Sequence, residues 1–408
     1  MKRILVISGL LLLLVLLVLP PIVGSRYTIL MVSQILVFAT FAMSYNVMLG
    51  QTGLLSFGHA VYFGAGVYSA LYIVNAIGAG SLPIPLELVP IGAALTGLLA
   101  AIVFGIISVK SGRIAFAMIT LGLAELVAVC AMIFPSVFGG EQGISTDRMV
   151  DLTLTGMNYG RPAQLYWLIL FWAVLAIGIM AYLVRTPLGR LANAVRDNEE
   201  RVAFLGYSAF KIRYMQFCIA GAFGGLAGGL SALLFEMSNA EIFGLRTSAD
   251  VLIATFLGGA SHVFGPALGA ALVVVLELNL AGYTEAWLLY YGLLFIAVVL
   301  FAPKGIWSVL AAIPRVIQRD GPATALRRWA LWLMMLAPGF VGAVLIIEMS
   351  NHRSNAFDPS EPMALAGLTL NVFDPVYWLA GLALLLVSGT LLWRHRRAAA
   401  RRHLQTLA

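Results

Sequence analysis

Apolar residues in this 408-residue chain fall into blocks of about twenty, separated by short polar connections. That spacing leaves few folds open. A block of this length is what one helical crossing of a bilayer requires, and a soluble domain has no use for many of them in series. Candidate spans lie near 4–23, 28–48, 56–77, 86–108, 114–134, 164–184, 214–236, 249–262, 267–282, 287–302, 329–349 and 374–393. The chain is 61% apolar and 11% charged, against about 25% charged in soluble domains. Short alternating segments of the transmembrane-barrel kind are missing. The expected fold is therefore an all-α polytopic integral membrane protein. The segment 249–262 is too short for a straight crossing and is expected to be part of a broken helix.

The net charge of +7 would suit nucleic acid, but its distribution fits membrane topology instead. With the N-terminus placed in the cytoplasm, 20 of the 25 Lys and Arg residues fall on inside segments. Only Arg26, Arg148, Arg161, Arg246 and Arg353 fall outside. This is a positive-inside pattern with both termini inside. Lys2-Arg3 and the apolar stretch after them read as an uncleaved first span, since no A-x-A-like site follows. Cys130 and Cys218 lie in apolar spans near opposite faces, which argues against a disulfide. The chain divides into an anchor span (1–27), a core (28–306, about ten spans counted with the anchor) and a C-terminal appendage (307–408). The appendage combines a basic amphipathic stretch, two spans and a basic tail.

The segment 49–72, LGQTGLLSFGHAVYFGAGVYSALY, is rich in glycine and small polar groups within hydrophobic surroundings. Glycine is a poor helix former. In a membrane it serves close helix packing or a helix break around a cavity. Gly64, Gly66 and Ala70 fit packing, while Asn46, Gln51, Ser56 and His59 are candidates to line a translocation path. A histidine at the cytoplasmic end of a span could equally be solvated. Glu125 lies near the middle of an apolar span, where a charge needs a partner or water, and joins the path candidates. Glu277 reads more simply as a structural hydrogen-bonding group. Residues 256–269, with Gly258, Gly259, Ser261, His262 and Gly265, faintly echo 54–66; chance clustering of glycine explains this about as well as an inverted repeat.

The longest inside loop of the core is RTPLGRLANAVRDNEERVAFLGYSAFKIR, 185–213. Thr186-Pro187 is a helix start, Leu188, Leu191, Ala192 and Val195 share a face, Asp197 can pair with Arg201, and Gly206 suits a helix stop. A short amphipathic helical unit follows. Two readings stay open: a surface helix held by lipid headgroups, or a docking element for a protein partner, which the mixture of acids and bases favours. Gly221, Gly225 and Gly229 form a tandem G-x-x-x-G, a flat face for close contact with another helix. The sequence has no G-x-x-x-x-G-K-[ST] phosphate loop, no metal-type cluster and no catalytic constellation, so no enzyme activity, cofactor or metal is expected.

Several of these motifs occur together and in order: NVMLGQTGLLSFGHAVYFGAGVY, TLGLAEL, FGGEQGI, LGRLANAVRDNEERVAFLG, the glycine run 221–229, and LGGASHVFGPALGAAL before PKGI. Over roughly 28–306 the chain resembles the permeases of branched-chain amino acid ABC importers, the LivM/LivH type. The resemblance implies a bacterial inner-membrane permease with a second related permease subunit, two cytoplasmic ATP-binding subunits and a periplasmic substrate-binding protein. The implied substrates are branched-chain or similar small apolar amino acids, with urea, amides or aromatic acids as alternatives. An ion-coupled secondary transporter, with Glu125 or His59 carrying the proton, is the competing class. Within 185–213, Glu200 and Gly206 match the spacing of the family's coupling loop, although Arg201 replaces its usual alanine. The resemblance makes Arg196, Asp197, Glu199, Glu200, Arg201 and Gly206 the ATPase-coupling candidates.

The charge asymmetry makes one direct prediction. A cysteine introduced near Ala408, in a background without Cys130 and Cys218, should stay unlabelled by an impermeant thiol reagent in intact cells. Labelling from outside would reverse the orientation.

Overall fold

The computed structural model describes residues 24–140, 142–355, 363–365 and 368–405. The expected span at 4–23 lies outside the described residues. From residue 26 onward, helices occupy each expected block. They are α1 (Arg26–Thr52), α2 (Ala60–Gly78), α3 (Val89–Ser108), α4 (Arg113–Ile133), α5 (Pro135–Phe138) and α6 (Pro162–Leu183). Next come α7 (Pro187–Asp197), α8 (Glu199–Phe204), α9 (Ala209–Phe235), α10 (Leu245–Gly258) and α11 (Gly265–Leu280). The series ends with α12 (Trp287–Phe301), α13 (Ile306–Asp320), α14 (Pro322–Asn355) and α15 (Pro375–Gln405). The chain is a polytopic all-α membrane protein.

Seven segments among the described residues are long and apolar enough to cross a membrane: α1, α2, Leu86–Ser108, Ile114–Ile133, α6, α9 and Ala330–Ser354. Trp287–Phe301 and Ile306–Arg319, bent by 54°, could make an eighth. The blocks expected at 267–282 and 374–393 correspond to shorter apolar helices, and that at 249–262 to α10. At 1.5 Å per residue the fourteen residues of α10 span about 21 Å, too little for a hydrocarbon core of about 30 Å.

The chain forms two compact units, one of 1–278 with 294–308 and one of 279–293 with 309–408. In the first, α9 is the central helix, and its glycines explain why. Gly221, Gly225 and Gly229 lie against α3, where added Cβ atoms would meet Ala101, Gly97, Ala93 and Pro90. Gly228 lies against the backbone of Phe63 and Val67 in α2, and Gly224 faces Ser44, His59 and Tyr62. Two glycine faces on one helix therefore admit two neighbours at backbone contact.

Outside the spans, several contacts hold the connection 139–161. Strands β1 (Ile144–Ser145) and β2 (Met237–Ser238) pair antiparallel. The buried Arg148 donates to the carbonyls of Leu233 and Leu234 at the C-terminus of α9, 2.9 and 3.1 Å away, and pairs with Glu236 at 3.2 Å. A cation there satisfies carbonyls that have no partner within the helix. The Glu87 carboxylate accepts from the backbone of Leu154 and Thr155 and from the Tyr159 hydroxyl. Burial, and then the adjoining Glu87, hold the Tyr159 hydroxyl above its ordinary pKa.

In the second unit, α14 and α15 pack antiparallel: Gly339 lies on Ser388, and Gly342 on Gly381 and Leu384. The Ser388 hydroxyl donates to Met335 O at 2.7 Å. Strands β3 (Met363–Leu365) and β4 (Leu368–Leu370) form a hairpin, and Met363, Leu370 and Val372 pack on Met349. Glu348 of α14 accepts from the hydroxyls of Thr284 and Tyr290, at 2.9 and 2.7 Å.

A Cβ on Gly225 would overlap the backbone of α3, lying 2.8 Å from Gly97 Cα. Gly225→Val should cost at least about 1–3 kcal/mol, the usual penalty of overpacking. Gly178→Val in α6, where nothing lies within 4 Å, should stay within about 0.5 kcal/mol. Denaturant unfolding of the purified protein in detergent measures both.

Candidate functional site

Helix α1 ends at Gly53, whose φ of +71° is left-handed and whose N–H donates to Leu49 O. The chain then runs without helix to His59 and re-enters as α2. Bare backbone at membrane depth is tolerated only where the protein satisfies it, and here it does. Phe57 N donates to the Thr120 hydroxyl at 3.2 Å and Gly58 N to the Ser56 hydroxyl at 3.2 Å. Tyr45 OH donates to Ser56 O at 2.8 Å, and Ala60 N to the Ser248 hydroxyl at 3.0 Å. The N-terminus of α2 is thus capped from α10.

His59 is fully buried in this break. Its ring stacks on Phe41 at 5.4 Å and meets the edges of Tyr45 and Tyr62 at 5.2 and 5.6 Å. Nε2 shares a hydrogen bond with the Ser44 hydroxyl at 2.9 Å. Asn46 is buried two residues further along α1, and its Nδ2 donates weakly to His262 O at 3.5 Å. Asn46 Oδ1 and His59 Nδ1 are buried with no hydrogen-bond partner among the described residues.

His262 belongs to the second break, 259–264, between α10 and α11. A Cβ on Gly50 would lie 2.6 Å from Ala260 O, and Thr255 donates to Ala42 O at 3.4 Å. The second break therefore adjoins the C-terminal half of α1, which leads into the first. Gly259, at φ +109°, lies against Lys304 O, and Gly305, at φ +78°, against Gly259. The PKGI motif thus packs on the second break, which only glycine permits.

The remaining path candidates lie elsewhere. Gln51 is buried, and its Oε1 accepts from Asn193 Nδ2 of α7 at 2.7 Å. Glu125 is exposed on α4, on the same face as Ile114, Met118, Leu126 and Val129. The structure thus brings Ser56 and His59 together in one break with Asn46 nearby, and places Glu125 on an outer face away from them. Cys130 and Cys218 are both free thiols.

The 185–213 segment forms two helices where one unit was expected. Thr186 caps α7, accepting from Gly189 N. Asn198 then ends α7 and caps α8, accepting from Arg201 N at 2.8 Å. Asn followed by two acids is a helix-start signal that was present in the sequence. Ala192, Val195, Val202, Ala209 and Ile212 form the unit's own small core. Asp197 pairs with Arg196 at 3.2 Å, not with Arg201. Glu199 receives a two-pronged pair from Arg213 at the start of α9, at 2.7 and 3.0 Å. Arg196 reaches inward and donates to Gly50 O. Asp197, Glu200 and Arg201 remain exposed. Gly206 has φ +82° and nothing within 4 Å of an added Cβ.

Three residues missed in the sequence stand beside it. Phe204 is 90% exposed, Leu205 69% and Tyr207 50%. The unit's core therefore faces α9, and its outer side offers an aromatic tip among charges. Asn193 and Arg213 were also missed; their partners lie far away in the chain, so spacing alone carried no signal for them.

The family model described as "Branched-chain amino acid transport system / permease component" matches residues 27–302. The high-affinity branched-chain amino acid transport system permease protein LivM of Escherichia coli is 28% identical over 334 residues, 76% of each chain. The probable LivM of Methanocaldococcus jannaschii is 27% identical over 65% of this chain and 88% of its own. The LivH protein of Salmonella typhimurium is 24% identical over 66% of this chain and 90% of its own. No solved structure matches significantly. With a match that covers α1 to α12 and takes in both breaks and the α7–α8 unit, the chain belongs to the branched-chain amino acid transport permease family.

Proposed function

We propose that this protein is the membrane-spanning permease subunit of an ATP-driven importer for branched-chain or similar small apolar amino acids in a bacterial inner membrane. The observation that carries the reading is the α7–α8 unit. Its buried side is fastened to α9, and its outer side presents Phe204, Leu205 and Tyr207 beside Asp197, Glu200 and Arg201. An exposed aromatic tip with mixed charges suits a protein groove better than an anionic lipid surface, which favours uniformly basic helices. The groove belongs to a cytoplasmic ATP-binding subunit, two of which serve the complex. A second related permease and a periplasmic binding protein complete it.

The path runs along the exposed face of α4, between this subunit and the second permease. Glu125, in mid-span with no hydrogen-bond partner among the described residues, then faces water or substrate rather than lipid. The surrounding Met118, Leu126 and Val129 offer the apolar wall that a zwitterionic aliphatic amino acid needs. His59, Ser56, Asn46 and Gln51 hold the helix break that shapes the subunit.

The complex reconstituted in vesicles should accumulate leucine or a near relative when ATP and the binding protein are supplied. Uptake that follows a proton gradient without ATP would replace this reading with a secondary transporter. A binding protein that captures only urea or aromatic acids would change the substrate and keep the importer. For the docking unit, Glu200→Arg with Gly206→Val should leave the permease inserted and remove the ATP-binding subunits. The β-branched residue is strained at φ +82°, and a reversed charge in a partly desolvated contact costs about 1–3 kcal/mol. Co-purification from detergent extracts reads the outcome, and full retention of the ATPases would place docking elsewhere.

A further inference from the structure

The α7–α8 unit is fastened to the bundle in two chemically different ways. Towards α9 it has an apolar core and the Glu199–Arg213 pair, whose arginine side chain is 8% exposed. Moving it away from α9 would expose the core and strand a buried cation. Towards α1 the attachment includes two polar links. Asn193 donates to Gln51 Oε1 at 2.7 Å and to Gly189 O of its own helix at 3.0 Å. Arg196 donates to Gly50 O and, through Nε, to Asp197 at 3.2 Å. Residues 193 and 196 are three apart on a helix and so share a face.

The place they grip is special. Gly50 and Gln51 lie in the last turn of α1, where carbonyls lack partners within the helix and a cation is favoured. Gly53 is part of the same grip: a Cβ there would lie 3.0 Å from Arg196 Cγ. Beyond Gly53 the chain has no helix until Ala60. Six residues on from Gly53 is His59, itself held to α1 through Ser44, while Ser56 is held through Tyr45. A shift of α7 is therefore passed to the end of α1 at the point where the helix gives way to the break.

We infer that Asn193 and Arg196 are the positioning residues through which movement of the α7–α8 unit reaches the α1–α2 break, Arg196 acting inward on the permease. The inference rests on the reading of the chain as an ATP-driven permease. Polar links at a cytoplasmic surface can be exchanged for water and remade, whereas the apolar attachment to α9 holds throughout the cycle.

The test uses the full complex reconstituted in vesicles, with retained ATPase subunits, ATP hydrolysis and substrate moved per ATP measured together. Asn193→Ala with Arg196→Ala should keep the ATPases bound and hydrolysing while substrate moved per ATP falls at least about tenfold, since one hydrogen bond from a charged donor and one ordinary one are lost. Arg196→Lys, which can still donate to Gly50 O, should restore most of the ratio; a residue that serves only charge at the ATPase surface would not show that split. Loss of the ATPases from the double variant would make Arg196 a docking residue and overturn the inference, as would an unchanged ratio. Should the double variant fail to insert, Gln51→Leu, which leaves α7 untouched and removes the Asn193 link alone, should lower the ratio by a smaller factor, about twofold to tenfold, and normal coupling there overturns it equally. A wild-type complex with no ATP-driven uptake removes the functional reading itself, and this inference with it.

Discussion

Close backbone approach along α9 is the constraint on which the rest of the first unit depends. Helices in a bilayer gain little from burying apolar surface against one another, because lipid is equally apolar, so association rests on van der Waals fit and hydrogen bonds. Gly221, Gly225 and Gly229 supply the fit to α3, and Gly224 and Gly228 supply it to α1 and α2. The contact with α2 positions His59 beside Gly224, with the ring nitrogen Nε2 3.4 Å from the position a Cβ would take. The same helix begins at the residues that hold α8, through Ala209, Ile212 and Arg213. One helix thus fixes the central break and the α7–α8 unit relative to each other.

The two breaks show how non-helical backbone is kept within such a bundle. In the first, side chains from α1, α4 and α10 satisfy the exposed groups: Tyr45, Thr120 and Ser248 each take one. In the second, glycines let chain segments meet at backbone contact, Gly258 on Gly265 and Gly259 on Gly305. The polar residues of the first break thereby acquire a structural duty. This is why the proposed path follows the exposed face of α4, where Glu125 is surrounded by apolar groups that no helix among the described residues covers.

The C-terminal 100 residues extend beyond the matched family region, which ends at 302. Their hairpin of α14 and α15 uses the same device as the core, small residues at the crossing: Gly339, Gly342, Gly381 and Ser388. Glu348, an acid in an apolar helix, is explained by two hydroxyl partners, Thr284 and Tyr290.

Much of this architecture could be read in the residues. Blocks of apolar length gave the helices, because a bilayer of fixed thickness leaves no other use for them. Gly206 marked a place where a helix stops, and Thr186 marked the start of α7, because a left-handed turn or a capping oxygen is a local requirement. Tertiary structure decided what each polar side chain faces. Arg196 was legible as a charge on the 185–213 loop, yet its partner Gly50 lies 146 residues earlier, and that of Asn193 lies 142 residues earlier. Periodicity tells which residues share a helix face and says nothing of what stands opposite. His59 and Glu125 looked alike in sequence, two ionisable groups in apolar surroundings. Packing of α2 against α1 and α9 buried the first, and the absence of a neighbour over one face of α4 among the described residues left the second exposed.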